Sequence, residues 1–135
     1  MEKRLTLTFI LTVLFTAVSF AQVKLSSMEN KHYATEIIRY DIPEQERANF
    51  EKAYVQAGQY LQASTYCLGY QVIHGSEEPN HYIVIIYWTS EQDHLTKFRN
   101  DQNFMAFFNL VKPFYNNLEE MKHYNLTDNK WTRQQ

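Results

Sequence analysis

One eight-residue segment constrains the fold more than any other part of the sequence. HYIVIIYW, residues 81–88, is apolar or aromatic at almost every position. Side chains of a β-strand alternate between its two faces, so every second residue from Tyr82 to Trp88 shares one face and those from Ile83 to Tyr87 share the other. A strand that is apolar on both faces must be covered on both sides. The segment therefore predicts a central strand with two packing partners.

The segments before this strand change period at a proline. Residues 33–42 are rich in β-branched and aromatic side chains and stop at Pro43, which predicts a strand. Apolar residues then recur at intervals of four, three and four, the spacing of an amphipathic helix. These positions are Phe50, Tyr54, Ala57 and Leu61. A strand followed by a helix is therefore expected at the start of the domain.

The remaining segments extend the order to β-α-β-β-α-β. Residues 66–75 predict a strand that the polar turn SEEPN joins to residues 81–88. Helical segments follow from Ser90 to Asn100 and around Phe104, and residues 118–126 predict a last strand. This is the order of a ferredoxin-like α+β fold, whose helices cover one face of a four-stranded antiparallel sheet. The uncovered apolar face predicts a homodimer packed sheet to sheet.

The ends of the chain have their own signals. Residues 1–21 have the plan of a secretory signal peptide: two basic residues, an apolar stretch and small residues up to Ala21. A retained membrane anchor is the alternative, but the apolar part is short for a spanning helix. Beyond the cleavage point we expect a polar leader at 22–32, the domain at 33–125 and a flexible tail at 126–135. The mature protein would be secreted or periplasmic, with no membrane segment.

Composition argues against several kinds of partner and site. A net charge of −2 at pH 7 argues against nucleic-acid and anionic-membrane surfaces. Cys67 is the only cysteine, so neither an internal disulfide nor a cysteine-based metal cluster can form. The five histidines have no paired helical spacing, so we expect no metal site. Stability must come from packing, which ten Tyr, nine Phe and two Trp can supply.

Four segments resemble the antibiotic biosynthesis monooxygenase (ABM) family. They are EIIRYDIP, CLGYQV, YWTSEQDHLTKFRNDQNFMAFF and LEEMKHY, and their order and spacing match the family over most of the chain after residue 34. The resemblance implies a dimeric α+β barrel. It also implies one of two chemistries: cofactor-free oxidation of hydroquinones or anthrone-like aromatics with O2, or binding and degradation of heme.

This sequence has one of the three residues that the resemblance implies for the heme-degrading group of the family. That group of the family implies a strand-ending Trp, a histidine about ten residues later and an Asn on the first strand. Trp88 is present, Phe98 stands where the histidine is expected, and residues 33–42 contain no Asn. We therefore expect no cofactor, with heme as the less favoured alternative. His94, one helical turn before Phe98, leaves a shifted heme ligand open.

Cofactor-free oxygenation needs a dry pocket, a proton acceptor and hydrogen-bond donors for an oxyanion. Trp88 could donate through its indole N–H, although a purely core role is the alternative. His94 could accept a proton because its unperturbed pKa lies near neutrality, unless it lies half exposed. Arg39 could assist a deprotonated substrate. Arg39 and Tyr40 alternate in facing, so only one can point at the helices, and periodicity does not decide which.

An aromatic cage is expected to hold the substrate. Its candidate residues are Tyr40, Tyr70, Phe98, Phe104, Phe107 and Phe108, for which core packing is the alternative role. The leading hypothesis is an exported, cofactor-independent monooxygenase that oxidises a small aromatic, such as a quinol or an anthrone-like compound. The alternative is a non-catalytic dimeric module that binds an apolar ligand. A cavity without titratable groups would favour that alternative.

Overall fold

The computed structural model describes residues 33–133, so the predicted signal peptide and leader lie outside the described residues. Within this range the strands and α-helices are β1 (Ala34–Asp41), α1 (Arg47–Ala63), β2 (Cys67–His74), β3 (His81–Trp88), α2 (Gln102–Val111) and β4 (Leu118–Asn125). Short helical segments are the 3-10 turns Glu44–Glu46, Phe98–Asn100 and Lys112–Asn117 and the π-helical turn Asp93–Lys97. The predicted β-α-β-β-α-β order is confirmed.

The sheet has the strand order β2-β3-β1-β4, and all neighbours are antiparallel. β1 lies in the middle, where Ile38 is opposite Val84 of β3 and Met121 of β4. The register of β2 against β3 shifts between Cys67 and Gly69, where a strand glycine permits a bulge. This arrangement confirms the predicted four-stranded antiparallel ferredoxin-like sheet.

The helices pack on one face of the sheet and enclose the core. The predicted α1 stripe, namely Phe50, Tyr54, Ala57 and Leu61, is at most 1% exposed. The inward positions of β1 include Ile38 and Tyr40, whereas Arg39 points to the opposite, open face. The ambiguity between Arg39 and Tyr40 is therefore resolved in favour of Tyr40 as the inward residue, because Ile38 shares its side of the strand.

The segment after β3 is less regular than the sequence predicted. Ser90 Oγ accepts a hydrogen bond from the Asp93 backbone N–H at 3.0 Å, and Thr89 Oγ1 donates to Asp93 Oδ2 at 2.7 Å. A π-helical turn then carries His94. Such turns are frequent at functional sites. Asp101 ends the segment in an extended conformation and caps α2, because its side chain accepts the Asn103 N–H.

The chain after β4 forms no helix or strand between residues 126 and 133. Among the described residues, no helix has the length and apolar character needed to cross a bilayer. The open face of the sheet carries Ile37, Ile83 and Ile85 at its centre and Ile73 towards the β2 edge, where Ile73 is 45% exposed. Both faces of β3 are therefore apolar, as its sequence indicated.

Candidate functional site

A cavity of about 180 Å³ lies between the helices and the inner face of the sheet. Its wall is mainly aromatic and aliphatic: Ile38, Tyr54, Ile86, Trp88, Phe98, Phe104, Phe107, Phe108, Val111, Tyr115 and Met121. Glu36, His94 and Arg99 complete the lining with groups that can carry charge. An apolar chamber with a few convergent polar groups is the usual form of a small-molecule site.

Glu36 is a buried carboxyl group in this wall. β1 places it on the inward side with Ile38 and Tyr40, and it is 3% exposed. The indole Nε1–H of Trp88 donates to Glu36 Oε2 at 2.9 Å. Burial raises the pKa of Glu36 to about 7, although the Trp88 hydrogen bond and the charge of Arg99 oppose this shift. The carboxyl group can therefore exchange a proton near neutral pH.

His94 is held beside this carboxyl group by a stacked ring. Its imidazole lies 4.2 Å from the Trp88 indole, centroid to centroid, with 5° between the planes. Burial lowers the pKa of His94 to about 3, and the positive charges of Arg99 and His123 act in the same direction. The ring is therefore neutral at neutral pH. Its Nδ1 lies 3.7 Å from Glu36 Oε2, a close approach that is not an ion pair in this charge state.

His123 completes a cluster drawn from three elements. It lies directly opposite Glu36 in the β1–β4 pairing, and its Nε2 lies 2.8 Å from Nδ1 of His94. Burial lowers the pKa of His123 as well. One ligand atom from each of Glu36, His94 and His123 lies within 4.8 Å of the others, so these residues could hold a metal ion. From the spacing of the histidines we expected no metal site, so the sequence analysis missed this cluster.

Arg99 brings a positive charge to the cavity. It follows Phe98 in a 3-10 turn, and it is exposed overall although it contributes to the lining. Within the described part of the chain it forms no ion pair within 4 Å. Its charge lowers the pKa of Glu36 and Tyr115 against the effect of burial. An anion in the cavity would therefore meet a guanidinium that is not already paired.

The structure places most of the predicted site residues together. Trp88, His94 and all four predicted phenylalanines line the cavity: Phe98, Phe104, Phe107 and Phe108. The indole N–H of Trp88, expected to be available to substrate or oxygen, is instead bonded to Glu36. The Trp88 N–H therefore positions the Glu36 carboxyl group and is not free for a ligand.

Three predicted site residues lie elsewhere. Arg39 is on the open face of the sheet, where its Nε donates to Glu120 Oε2 at 2.7 Å, so it cannot assist a substrate in this cavity. Tyr40 is fully buried, and its hydroxyl pairs with that of Tyr54 at 2.8 Å. Tyr70 packs against α1 and donates to the Tyr54 carbonyl at 3.3 Å. Arg39 is therefore on the wrong face of its strand. The hydroxyl groups of Tyr40 and Tyr70 are bonded to Tyr54 and do not line the cavity.

Three residues of the site were not anticipated: Glu36, Arg99 and His123. For Glu36 a signal was available, because it shares its strand face with Ile38 and Tyr40, and a carboxyl group on a buried face is unusual. Arg99 and His123 gave no comparable signal. Their approach to the cavity depends on how the turn before α2 and strand β4 are positioned.

The fold and the cavity together define a class: a ferredoxin-like α+β domain with an aromatic chamber that contains a buried carboxyl group and an imidazole. The sequence model of the family described as antibiotic biosynthesis monooxygenase matches residues 34–110. The chain belongs to this family. The comparison with curated proteins finds no significant match.

Solved structures share the fold at low sequence identity. A candidate antibiotic biosynthesis monooxygenase from Bordetella bronchiseptica is 21% identical with a TM-score of 0.63, over 72% of this chain and 99% of that one. A similar candidate from Caulobacter crescentus is 17% identical with a TM-score of 0.59, over 77% and 98%. SnoaB, a cofactor-independent oxygenase from Streptomyces nogalater, is 14% identical with a TM-score of 0.57, over 76% and 99%. These TM-scores establish a common fold.

Proposed function

We propose that the protein is a monooxygenase that oxidises a small phenolic aromatic with O2 and without a cofactor. One observation carries the proposal: among the described residues, the aromatic cavity is lined by one carboxyl group, that of Glu36, which is buried and bonded to Trp88. Cofactor-free oxygenation must first remove a proton from the substrate, and Glu36 is placed to receive it. The description of the structural neighbour SnoaB as a cofactor-independent oxygenase supports this chemistry.

The size of the cavity narrows the substrate class. An apolar cavity of about 150 Å³ is large enough to hold benzene. The cavity here, at about 180 Å³, is slightly larger than that and matches one substituted ring. We therefore favour a single-ring hydroquinone over an anthrone-like substrate.

The reaction balances without an external reductant. The hydroquinone passes a hydroxyl proton to Glu36, and the resulting phenolate gives one electron to O2. The superoxide and semiquinone radicals combine at a ring carbon to form a peroxide anion, which takes the proton back from Glu36 and becomes a hydroperoxide. Loss of water then leaves a hydroxyquinone, so one oxygen atom enters the ring and the other leaves as water. The substrate supplies all the electrons.

Three other residues have different roles in the proposed reaction steps: Arg99, Trp88 and His94. The guanidinium of Arg99 provides a positive charge for the phenolate and for superoxide, both of which are anions. Trp88 orients the Glu36 carboxylate through its N–H, and His94 packs against Trp88. The surrounding phenylalanines exclude water, which strengthens these electrostatic interactions.

The two alternative functions have less support. A purely binding module was expected to lack titratable groups in its cavity, whereas Glu36 and His94 both line this one. Heme has no ligand at its expected position, because Phe98 lines the cavity there. The cavity therefore favours oxygenation over both.

Oxygen uptake by the purified protein with a panel of single-ring hydroquinones, without added metal or flavin, tests the proposal. We expect Glu36→Gln to lower the rate by about 10²- to 10⁴-fold, the range associated with a positioned acid or base. Trp88→Phe should lower it less, because the carboxylate remains but loses its hydrogen bond. The exposed Glu44→Gln is the matched control. No uptake with any hydroquinone, or equal rates for Glu36→Gln and Glu44→Gln, would refute the proposal.

We also propose that the protein is a homodimer joined through the open face of the sheet. Isoleucines on this face, including Ile85 and the exposed Ile73, support the proposal. Ile85→Glu should give a monomer by light scattering. Val55→Glu, on the outer surface of α1 where Val55 is 74% exposed, should remain dimeric. A monomeric wild type would contradict the proposal.

Export is a separate proposal, supported by the sequence of residues 1–21. The exported protein should begin at Gln22 in N-terminal sequencing. An intact N-terminus on protein recovered from the cytoplasm would contradict it.

A further inference from the structure

We propose that Glu36, His94 and His123 form a binding site for a first-row divalent metal ion at the edge of the cavity. The residues come from β1, the π-helical turn and β4, three elements that are distant in sequence. Two imidazoles and one carboxylate are a ligand set that suits Zn²⁺ and Fe²⁺ and leaves further coordination positions open.

The proposal rests on the convergence of three lone-pair-bearing atoms. A chain of hydrogen bonds through a histidine would use its two opposite ring nitrogens. Here the same nitrogen, Nδ1 of His94, faces both His123 Nε2 at 2.8 Å and Glu36 Oε2 at 3.7 Å. One proton can bridge the two imidazoles, and Glu36 Oε2 then accepts only the Trp88 N–H and receives no donor from either imidazole. A cation at the centre would engage all three atoms.

The distances are close to those that a metal ion requires. Metal–nitrogen and metal–oxygen bonds of about 2.0–2.2 Å allow two ligand atoms on one ion to lie no more than about 4.3 Å apart. The His94–His123 and Glu36–His94 distances, 2.8 and 3.7 Å, fall within this limit. All three atoms lie within 4.8 Å of one another. At this outer limit, the Glu36–His123 pair would have to close by only about 0.5 Å for both residues to share one ion.

The surroundings orient these ligands before any ion binds. Trp88 donates to Glu36 Oε2 and stacks on His94, so one side chain positions two of the three ligands. Such supporting contacts fix ligand geometry and raise affinity. Glu36 and His123 are held opposite each other by the β1–β4 ladder. His123 is partly exposed and gives an ion a route from solvent.

Metal binding would change what the cavity can do. An ion on Glu36 would occupy the carboxylate that receives the substrate proton in the proposed reaction. Zn²⁺ should therefore inhibit cofactor-free oxygenation, and this regulatory effect rests on the proposed function. The metal site itself does not, because ion binding is measured without any substrate.

A second acid–imidazole cluster offers an internal control. Asp41, His81 and Glu119 also place one ligand atom each within 4.8 Å of the others, but two of these residues are exposed and the cluster has one imidazole. Because Zn²⁺ favours nitrogen ligands over exposed carboxylates in water, we assign the tight site to the cluster with two histidines.

Zn²⁺ binding is measured by competition with a chromophoric chelator, using protein without a histidine tag. Wild type should bind one ion per chain. His123→Gln and Glu36→Gln should each weaken binding by about 100-fold or more, since losing even a supporting contact costs 10- to 100-fold. The matched control His81→Gln should bind as wild type does. His123 is partly exposed, so His123→Gln should keep the wild-type circular dichroism and melting profile. Co²⁺ absorption should show imidazole coordination that His123→Gln removes.

Equal affinity in wild type and His123→Gln, or loss of binding only in His81→Gln, would overturn the metal site. Oxygen uptake with EDTA or with Zn²⁺ separates this result from the proposed function. Inhibition by Zn²⁺ in wild type but not in His123→Gln would support the regulatory effect. Uptake that EDTA abolishes would overturn the cofactor-free reaction while the metal site stands.

Discussion

The core has two halves that differ in how their buried polar groups are hydrogen-bonded. The tyrosine half contains Tyr40, Phe50, Tyr54, Tyr82 and Phe114, with Tyr54 on the border. The cavity half contains Glu36, Trp88, His94 and Phe98, and the partly exposed His123 contacts it through His94. In the tyrosine half, the Phe50 ring centroid lies 4.8–5.3 Å from those of its four aromatic neighbours. In the cavity half, the aromatic rings line a cavity and do not pack closely against one another across it.

The difference lies in the balance of donors and acceptors. The hydroxyl groups of Tyr40 and Tyr54 bond to each other, and burial raises the pKa of both, so they remain neutral and paired. In the cavity half, a carboxyl group and two imidazoles present more lone pairs than the protons between them can satisfy. Buried polar groups that are fully paired stabilise a core, whereas those with spare capacity are available to a ligand.

The largest expected effect tests the tyrosine half. Phe50→Ala should lower the free energy of unfolding by about 3–5 kcal/mol, because it removes a fully buried ring that four others contact. Urea denaturation measures the change. Val55→Ala, on the exposed side of the same helix, should stay within about 0.5 kcal/mol of wild type. A loss below about 1 kcal/mol for Phe50→Ala would show that this half is loosely packed.

The paired hydroxyl groups provide the next test. Tyr40→Phe should cost about 1–3 kcal/mol, because it leaves the buried Tyr54 hydroxyl without its partner. The double variant Tyr40→Phe/Tyr54→Phe should be more stable than the two single costs predict when added, since both ends of the bond are then apolar. Additive costs in this double-mutant cycle would mean that the two hydroxyls do not depend on each other.

Substitution of a polar residue in the cavity half should increase stability, whereas substitutions in the tyrosine half should decrease it. Glu36→Gln should raise the free energy of unfolding in EDTA by about 1 kcal/mol, because the amide keeps an acceptor for Trp88 and adds donors for the neighbouring imidazoles. The same variant is expected to lose oxygen uptake. Destabilisation by this substitution would show that Glu36 is a structural residue and that the two halves do not differ in this respect.

The smallest effect is expected outside both halves. Arg39→Ala breaks an exposed ion pair with Glu120 on the open face, and such pairs contribute little to stability. Its unfolding midpoint should move less than that of Tyr40→Phe. Oxygen uptake should remain close to wild type, because Arg39 lies outside the cavity. A loss of uptake comparable to that of Glu36→Gln would restore Arg39 as a site residue.

The sequence by itself determined the fold. Alternation in residues 81–88 and the helical stripe beginning at Phe50 are local patterns, and the segments between residues 33 and 125 follow one another in an order that few topologies accommodate. These patterns, together with the resemblance to the ABM family, led to Trp88, His94 and the phenylalanines that line the cavity. Trp88 ends β3, His94 lies in the turn that follows, and most of the phenylalanines lie on α2.

Only the tertiary structure decided which side chains meet in the cavity. Arg39 and Tyr40 have equivalent positions in the strand pattern, and packing on α1 was needed to turn Tyr40, and with it Glu36, inward. Glu36, His94 and His123 meet because β4 pairs with β1 in one register and a π-helical turn faces that ladder. Periodicity reports contacts within one element, whereas a site built from three elements depends on strand register and packing between distant segments.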